Sequence, residues 1–215
     1  MRASFLCFIA IVFASFCYID QNVLADNKLK IITPPGAPSI VSGFKSAIGV
    51  DFKPRNMLHQ GIDILGDDGQ PIIAVASGEV LEASVEKCWG PTVAIDHGKG
   101  LDGKKLIALY GHLGEMFVKA GDIVKRGQLI GNLGDNHFQF RCIAKVRHLH
   151  FQIGREFRPP NERSGHWGHS YYLKDGMNGI NPHLYWADGK GIITCFKAGQ
   201  SYSNGSITYP VPCNK

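Results

Sequence analysis

The sequence predicts one mainly β domain, and three observations support this prediction. The chain has 26 glycines and 11 prolines, which indicates many tight turns. Several short runs of β-branched residues are bounded by Gly, Asp, Pro or Lys. In His148–Ile153, apolar and polar residues alternate, as in a strand with one dry and one polar face.

The segment 1–25 is predicted to be a signal peptide. Arg2 precedes an apolar run from Phe5 to about Tyr18, and Val23-Leu24-Ala25 resembles a cleavage site, so the mature chain would start at Asp26. A retained membrane anchor is the rival interpretation, but the run is short for a bilayer span of ~20 residues. A lipid-attached Cys17 is disfavoured because the preceding residue is bulky.

The lead-in, residues 26–49, is expected to be irregular because Pro34–Pro38 cannot continue a helix. The main domain is expected over residues 50–190. Its first predicted strands are short β-branched runs: Ile62–Ile64, Ile72–Ala76, Gly78–Ala83, Thr92–Asp96 and Leu106–Tyr110. The segment Gly98–Lys105 is expected to be a hairpin loop.

The second half of the domain is expected to add a compact β edge and long loops. Two turn glycines, Gly121 and Gly127, disfavour a helix over Val118–Gly131. The segment Arg155–Tyr172 is predicted to be a long loop on a wall of the site. A turn or short helical piece at Asn181–Trp186 closes the domain, and residues 191–215 form a tail.

Composition fits one exported globular domain. The 215 residues are 44% hydrophobic and 19% charged, which allows a sizeable core. The formal charge of +5 favours polyanionic surroundings such as a cell wall, and it equally fits a solvated surface without a partner. Basic residues are scattered without interleaved aromatic residues, so nucleic acid is not an expected partner. We expect a periplasmic or secreted bacterial monomer without a membrane span after signal cleavage.

Four of the six cysteines lie outside the predicted signal: Cys88, Cys142, Cys195 and Cys213. In an oxidising compartment they suggest two disulfides, with three connectivities to choose from. We expect Cys88–Cys142 and Cys195–Cys213, the latter clamping the tail. A thiolate metal site is disfavoured because no Cys-x-x-Cys pair is present.

Three separate segments carry residues that suit a metal centre. His59 and Asp63 flank Gly61, which permits the bend that would bring both side chains to one ion. On a strand, His148 and His150 share one face with Cα atoms ~6.5 Å apart. His112 lies at the end of another predicted strand. Two imidazoles and a carboxylate with one open position are typical of catalytic zinc, and two histidines then remain for proton transfer.

The ordered set resembles the lysostaphin/LytM-type zinc metallopeptidases, the M23 family. The motifs His59-x-x-x-Asp63, Tyr110-Gly111-His112-Leu113 and His148-Leu149-His150-Phe151 stand as that family has them, within a match over roughly Leu58 to Ile153. The resemblance implies a small antiparallel β-sheet domain with an open groove. It also implies Zn²⁺ held by His59, Asp63 and His150, with His112 and His148 as the catalytic pair.

By the same resemblance, the expected activity is hydrolysis of peptide bonds in stem peptides or cross-bridges of bacterial peptidoglycan. The sequence departs from the family over Asp135–Arg147 and Arg155–Tyr172, which puts the substrate preference in doubt. A non-catalytic zinc-containing wall-binding or regulatory module on the same scaffold is the alternative. A biotinyl or lipoyl carrier is disfavoured because no Lys stands in the required hairpin context.

Overall fold

The computed structural model describes residues 29–87, 89–134, 139–140, 143–163, 172–175 and 179–214. It has ten strands: β1 Ile40–Ser42, β2 Ile62–Leu65, β3 Pro71–Ile73, β4 Gly78–Glu86, β5 Gly90–Lys99, β6 Lys105–Gly111, β7 Leu113–Met116, β8 Ile123–Val124, β9 Leu129–Leu133 and β10 His148–Gly154. Two 3₁₀ turns lie at Pro160–Glu162 and Pro182–Leu184. Within the described residues, no helix has the length and apolar character needed to cross a membrane.

The strands form two antiparallel sheets. The larger has the order β1-β2-β10-β6-β5-β4-β8, and the smaller has the order β3-β9-β7. The sequence prediction of a mainly β domain is confirmed. The predicted loop between β5 and β6 is also confirmed, because Gly98 and Gly103 take positive φ angles there and the Gly103 N–H donates to the Gly100 carbonyl.

Both faces of the larger sheet are covered. Residues of both sheets and of the tail share the main core, where Ile62, Phe151 and Trp186 are fully buried. A smaller cluster on the opposite side includes Trp89 and Leu109. The two faces of β6 contribute to different clusters because its successive side chains point in opposite directions.

The tail is part of the core, and its disulfide is confirmed. Cys195 and Cys213 are bonded, and Ile207 and Tyr209 between them are fully buried. Cys88 and Cys142 lie outside the described residues, as does the predicted signal peptide. The boundary between the domain and the tail at residues 190 and 191 stays a prediction.

Three strand predictions need correction. The run Ile72–Ala76 is a strand only to Ile73. Beyond it, the Ala74 N–H donates to the Gln128 carbonyl and the Val75 carbonyl accepts from the Thr208 N–H, outside any regular ladder. The lead-in contains β1, which pairs with β2 at the edge of the larger sheet. Strand β7, directly after His112, was not predicted.

Candidate metal centre

Strand pairing places the candidate residues at one end of the larger sheet. In β10, His150 stands opposite Asp63 of β2 on one side and Gly111 of β6 on the other. His148 lies two residues earlier in β10, so its side chain shares the face of His150. His112 immediately follows Gly111 and takes a φ of 68°, an unusual value for a residue other than glycine. All of these side chains are buried.

Gly61 permits the close approach of His59 to the sheet. A Cβ built on Gly61 would overlap the Phe151 carbonyl oxygen and lie 3.1 Å from His150 Nε2. Any side chain at this position would push the segment away from β10. Gly61 is not among the glycines with a positive φ, so glycine is required here for the close approach and not for an unusual backbone angle.

One donor atom from each of the three predicted metal ligands lies close to the other two. His59 Nε2 lies 3.2 Å from Asp63 Oδ1 and 3.1 Å from His150 Nδ1, and His150 Nδ1 lies 3.0 Å from Asp63 Oδ1. A tetrahedral ion with bonds of about 2.0–2.1 Å places its ligand atoms about 3.3 Å apart. The observed separations fit that arrangement closely, so this set suits Zn²⁺.

Hydrogen bonds to the other ring nitrogens orient both imidazoles. His59 Nδ1 lies 3.1 Å from the Gly43 carbonyl oxygen, and His150 Nε2 lies 3.1 Å from Gln152 Oε1. With an ion bound, the proton of each ring would lie on the nitrogen facing its oxygen, which leaves a lone pair for the ion on the nitrogen beside Asp63. Such outer acceptors fix the ring of a metal-binding histidine and raise its basicity.

The Asp63 carboxylate is shared between the histidines and an arginine. Its Oδ2 accepts a hydrogen bond of 2.5 Å from Arg55 Nη2, while its Oδ1 faces the histidines. Burial by itself raises the pKa of Asp63, but His59, His150 and the other facing groups outweigh it and hold that pKa well below its usual range. The carboxylate is therefore ionised at neutral pH and presents one oxygen to the centre.

His112 and His148 form a pair beside this set. Their ring centroids are 4.9 Å apart, and His148 Nε2 lies 3.8 Å from Asp63 Oδ1. His112 Nδ1 lies 3.0 Å from the Trp89 carbonyl oxygen, and His148 Nδ1 lies 2.6 Å from the Val146 carbonyl oxygen. With protons on these Nδ1 atoms, both rings present the Nε2 lone pair.

His112, His148 and His150 are neutral at neutral pH. Burial lowers the pKa of His112 well below its ordinary value, and the neighbouring histidines lower it further. Burial also lowers the pKa values of His148 and His150, although Asp63 partly offsets the effect. Neutral imidazoles can bind a metal ion or accept a proton, whereas imidazolium can do neither.

Sequence reasoning missed three residues of the centre. Gln152 could have been found, because it continues the polar face of His148 and His150 at the next alternate position. Arg55 precedes the motif in a loop. Trp89 directly precedes β5, and its ring lies 4.9 Å from that of His150. Neither of these two has a sequence signal, since only the fold brings them to the centre.

Among the described residues, the two other histidines, His97 and His183, lie outside this site. His97 was interpreted as structural; its Nδ1 lies 3.1 Å from the Ser77 carbonyl oxygen, and burial lowers its pKa to about 4. His97 also lines a cavity of about 760 Å³ beside the tail, where Arg126 donates to the Val75 and Ser206 carbonyl oxygens. His137, His166 and His169 lie outside the described residues.

Comparison with known proteins identifies the domain. Residues 57–162 match the model of Peptidase family M23. The chain belongs to peptidase family M23. All five candidate residues of this M23 protein fall inside the matched segment, whereas Arg55 and the tail lie outside it. Its mainly antiparallel β architecture agrees with the fold that the resemblance to this family implies.

Among curated proteins, the M23 chain is 34% identical over 109 residues to the Lipoprotein NlpD/LppB homolog of Pseudomonas aeruginosa, covering 50% of this chain and 33% of the relative. It is 32% identical over 117 residues to the Peptidoglycan DD-endopeptidase ShyC of Vibrio cholerae. This match covers 54% of this chain and 26% of the relative. The chain therefore spans a quarter to a third of these relatives.

Among solved structures, the catalytic domain of the antimicrobial peptidase lysostaphin from Staphylococcus simulans is 25% identical, with a TM-score of 0.44. That match covers 63% of the M23 chain and 87% of the lysostaphin chain.

Proposed function

We propose that this protein is an exported zinc metalloendopeptidase that hydrolyses peptide bonds in bacterial peptidoglycan, in stem peptides or cross-bridges. The observation that carries the proposal is the convergence of His59 Nε2, Asp63 Oδ1 and His150 Nδ1 at separations of 3.0–3.2 Å. A Zn²⁺ ion bound by these atoms would polarise a peptide carbonyl and acidify a water molecule.

His112 and His148 supply the proton transfers. Each is neutral and presents Nε2 as a lone pair, so each can accept a proton from the attacking water as a general base. The ring that gains the proton becomes a donor. It then stabilises the developing oxyanion and protonates the leaving amine. The backbone carbonyls of Trp89 and Val146 keep both rings in the orientation that this exchange requires.

The chemical class of the substrate is proposed from the relatives. The Vibrio cholerae relative carries the name of a peptidoglycan DD-endopeptidase, and family M23 is a peptidase family. Export is proposed from the signal-like residues 1–25, and the net positive charge suits a polyanionic wall. We further propose that the protein acts as a monomer.

The test is mass spectrometry of muropeptides released from purified sacculi, with and without a chelator. We expect wild-type protein to release peptides, chelation to stop the release, and added zinc to restore it. His148→Ala should retain zinc, because His148 is not among the three donors, and should release nothing. A non-catalytic wall-binding module would release nothing as wild type and would still bind sacculi.

A further inference from the structure

A small hairpin beside the metal centre carries an exposed aromatic residue in an unfavourable backbone conformation. Ile48 and Pro54 pair in an antiparallel bridge, and we call residues 48–54 the 48–54 hairpin. At its tip, Phe52 has a φ of 61° and is 81% exposed. A left-handed conformation is costly for a bulky side chain, and an exposed phenyl ring adds no stabilisation through burial.

The hairpin is fixed to the proposed metal ligands. At its base, the Lys45 N–H donates to the His59 carbonyl, and the His59 N–H donates to the Ser46 carbonyl. Just after the hairpin, the Arg55 N–H donates to the Ala47 carbonyl, and the Arg55 guanidinium binds Asp63 Oδ2 at 2.5 Å. Phe52 precedes Arg55 by three residues, so its Cα lies at most about 10.5 Å from that of Arg55.

Hydrogen bonds within the hairpin maintain the strained tip. The Gly49 N–H donates to the Lys53 carbonyl at 2.8 Å, and the Phe52 N–H donates to the Gly49 carbonyl at 3.0 Å. Asp51 and Lys53 form an ion pair of 3.4 Å with each other, so the two charges beside Phe52 compensate. The Phe52 ring is therefore an apolar group on a hydrogen-bonded turn, and the charges of Asp51 and Lys53 on either side of it cancel.

Further exposed apolar side chains occur in the hairpin and in the segment that leads to the first proposed ligand. Ile48 is 45% exposed, Met57 is 44% exposed and Leu58, which directly precedes His59, is 45% exposed. We call Ile48, Phe52, Met57 and Leu58 the apolar lip. A strained, exposed residue that the fold holds in place is more common at functional sites than elsewhere.

We propose that the apolar lip, with Phe52 at its tip, binds an apolar side chain of the peptide substrate next to the scissile bond and so determines specificity. The inference rests on the proposed function, because the chemistry of the occupant follows from a peptide held at the metal centre. The lip is continuous in the chain with His59, and Arg55, which lies between Phe52 and Met57, binds Asp63. The segment that carries the lip therefore borders the centre, and a peptide held there would pass along it. Nonpolar contact there favours aliphatic or aromatic side chains over glycine.

The experiment compares Phe52→Asn with wild type on soluble peptides that carry glycine, alanine or leucine at the positions flanking the scissile bond. Asparagine tolerates the left-handed conformation, so the midpoint of thermal unfolding should stay the same or rise. Wild type should prefer leucine or alanine over glycine by about tenfold or more in kcat/KM. A nonpolar contact with a substrate side chain typically produces a preference of this size. Phe52→Asn should abolish that preference and retain its bound zinc.

Ile123→Asn is the matched control. Ile123 is 73% exposed on β8, four strands from β10 in the larger sheet, which is about 19 Å at the usual strand spacing. This variant should keep the wild-type preference. If wild type cleaves the peptides and Phe52→Asn shows the same preference, the inference is wrong. If wild type cleaves neither peptides nor sacculi, the proposed function itself fails.

A membrane surface is the competing occupant for exposed apolar side chains. Sedimentation with vesicles of phosphatidylglycerol and phosphatidylethanolamine distinguishes it. If wild type binds vesicles, Phe52→Asn does not, and both have the same peptide preference, the apolar lip binds lipid. That result would overturn the inference. Lack of vesicle binding by both, together with the changed preference, supports the peptide assignment.

Discussion

Gln152 holds His150 in the tautomer that a metal ion requires. Gln152 Oε1 lies 3.1 Å from His150 Nε2, which leaves His150 Nδ1 facing Asp63. In the part of the chain that the structure describes, Gln152 Nε2 is buried without a hydrogen-bond partner. The Gln152 amide nitrogen thus lacks a hydrogen bond, while the amide oxygen accepts one from His150. This arrangement is consistent with a role of Gln152 in orienting the His150 ring.

Replacing Gln152 should therefore weaken zinc binding. Gln152→Leu removes the acceptor for His150 Nε2–H, and loss of such an outer partner typically lowers metal affinity about 10–100-fold. Gln152→Glu keeps an acceptor and should bind zinc at least as tightly as wild type. Titration against a chromophoric chelator measures both. Equal affinity of the Leu variant and wild type would show that Gln152 does not orient the ligand.

Gly61→Ala should destabilise the protein, because the new Cβ overlaps the Phe151 carbonyl oxygen in the neighbouring strand. Overpacking of this kind costs about 1–3 kcal/mol. Gly43→Ala is the control, since a Cβ at Gly43 meets no atom within 4 Å. Urea unfolding of both variants gives the free-energy differences. A Gly61→Ala protein as stable as the Gly43→Ala protein would contradict the close packing of this segment on β10.

Acid should destabilise the fold through His183. This residue is buried, its Nδ1 accepts a hydrogen bond of 3.0 Å from Trp186 Nε1, and burial lowers its pKa to about 4. Because the folded-state pKa lies below the unfolded value near 6.5, the unfolded chain binds the proton first. Neutral His183 therefore makes its full contribution to the free energy of unfolding above about pH 6.5. As the pH falls towards 4, this contribution of about 3 kcal/mol is lost.

The measurement is the urea-unfolding free energy of metal-free protein at pH 7 and at pH 4.5, for wild type and His183→Gln. Glutamine can still accept from Trp186 and does not titrate. The variant should lose less stability than wild type between these two pH values. If the unfolding free energies of both proteins depend identically on pH, His183 does not cause the loss of stability in acid.

The tail disulfide should stabilise the whole domain. The bond joins residues 18 apart, and the loop it closes contributes Ile207 and Tyr209 to the main core. A disulfide closing a loop of this size contributes about 3 kcal/mol, chiefly by restricting the unfolded chain. The double variant Cys195→Ala, Cys213→Ala should show that loss in chemical denaturation while keeping its zinc. Unchanged stability would mean that core packing alone holds the tail.

The sequence predicts much of the fold and of the site, and its failures have physical causes. Alternation identifies β10, and β-branched runs identify β4, β5 and β6, because these strands bury one or both faces. Strand β7 escapes prediction because its residues, Leu-Gly-Glu-Met, have weak β propensity and tertiary pairing with β9 decides their conformation. Ala74–Ala76 is apolar because it is buried, although it lies outside a regular ladder.

In the metal centre, too, local sequence predicts some residues, and tertiary structure decides the positions of others. His59, Asp63, His112, His148 and His150 were predicted, and the structure brings them together at one end of the larger sheet. Arg55 and Trp89 were not, because their positions depend on loop conformation and strand order. Local spacing can predict which groups are able to share an ion, but only the assembled fold shows which groups orient them.

The metal content of purified protein tests the central claim most directly. After exposure to zinc and dialysis against buffer, elemental mass spectrometry should find about one zinc ion per chain in wild type and in His148→Ala, and almost none in Asp63→Ala. All three proteins should show the same far-ultraviolet circular dichroism, so that unfolding does not explain a loss. Wild-type protein that retains no zinc, or an Asp63→Ala variant that retains as much as wild type, would contradict the assignment of this centre.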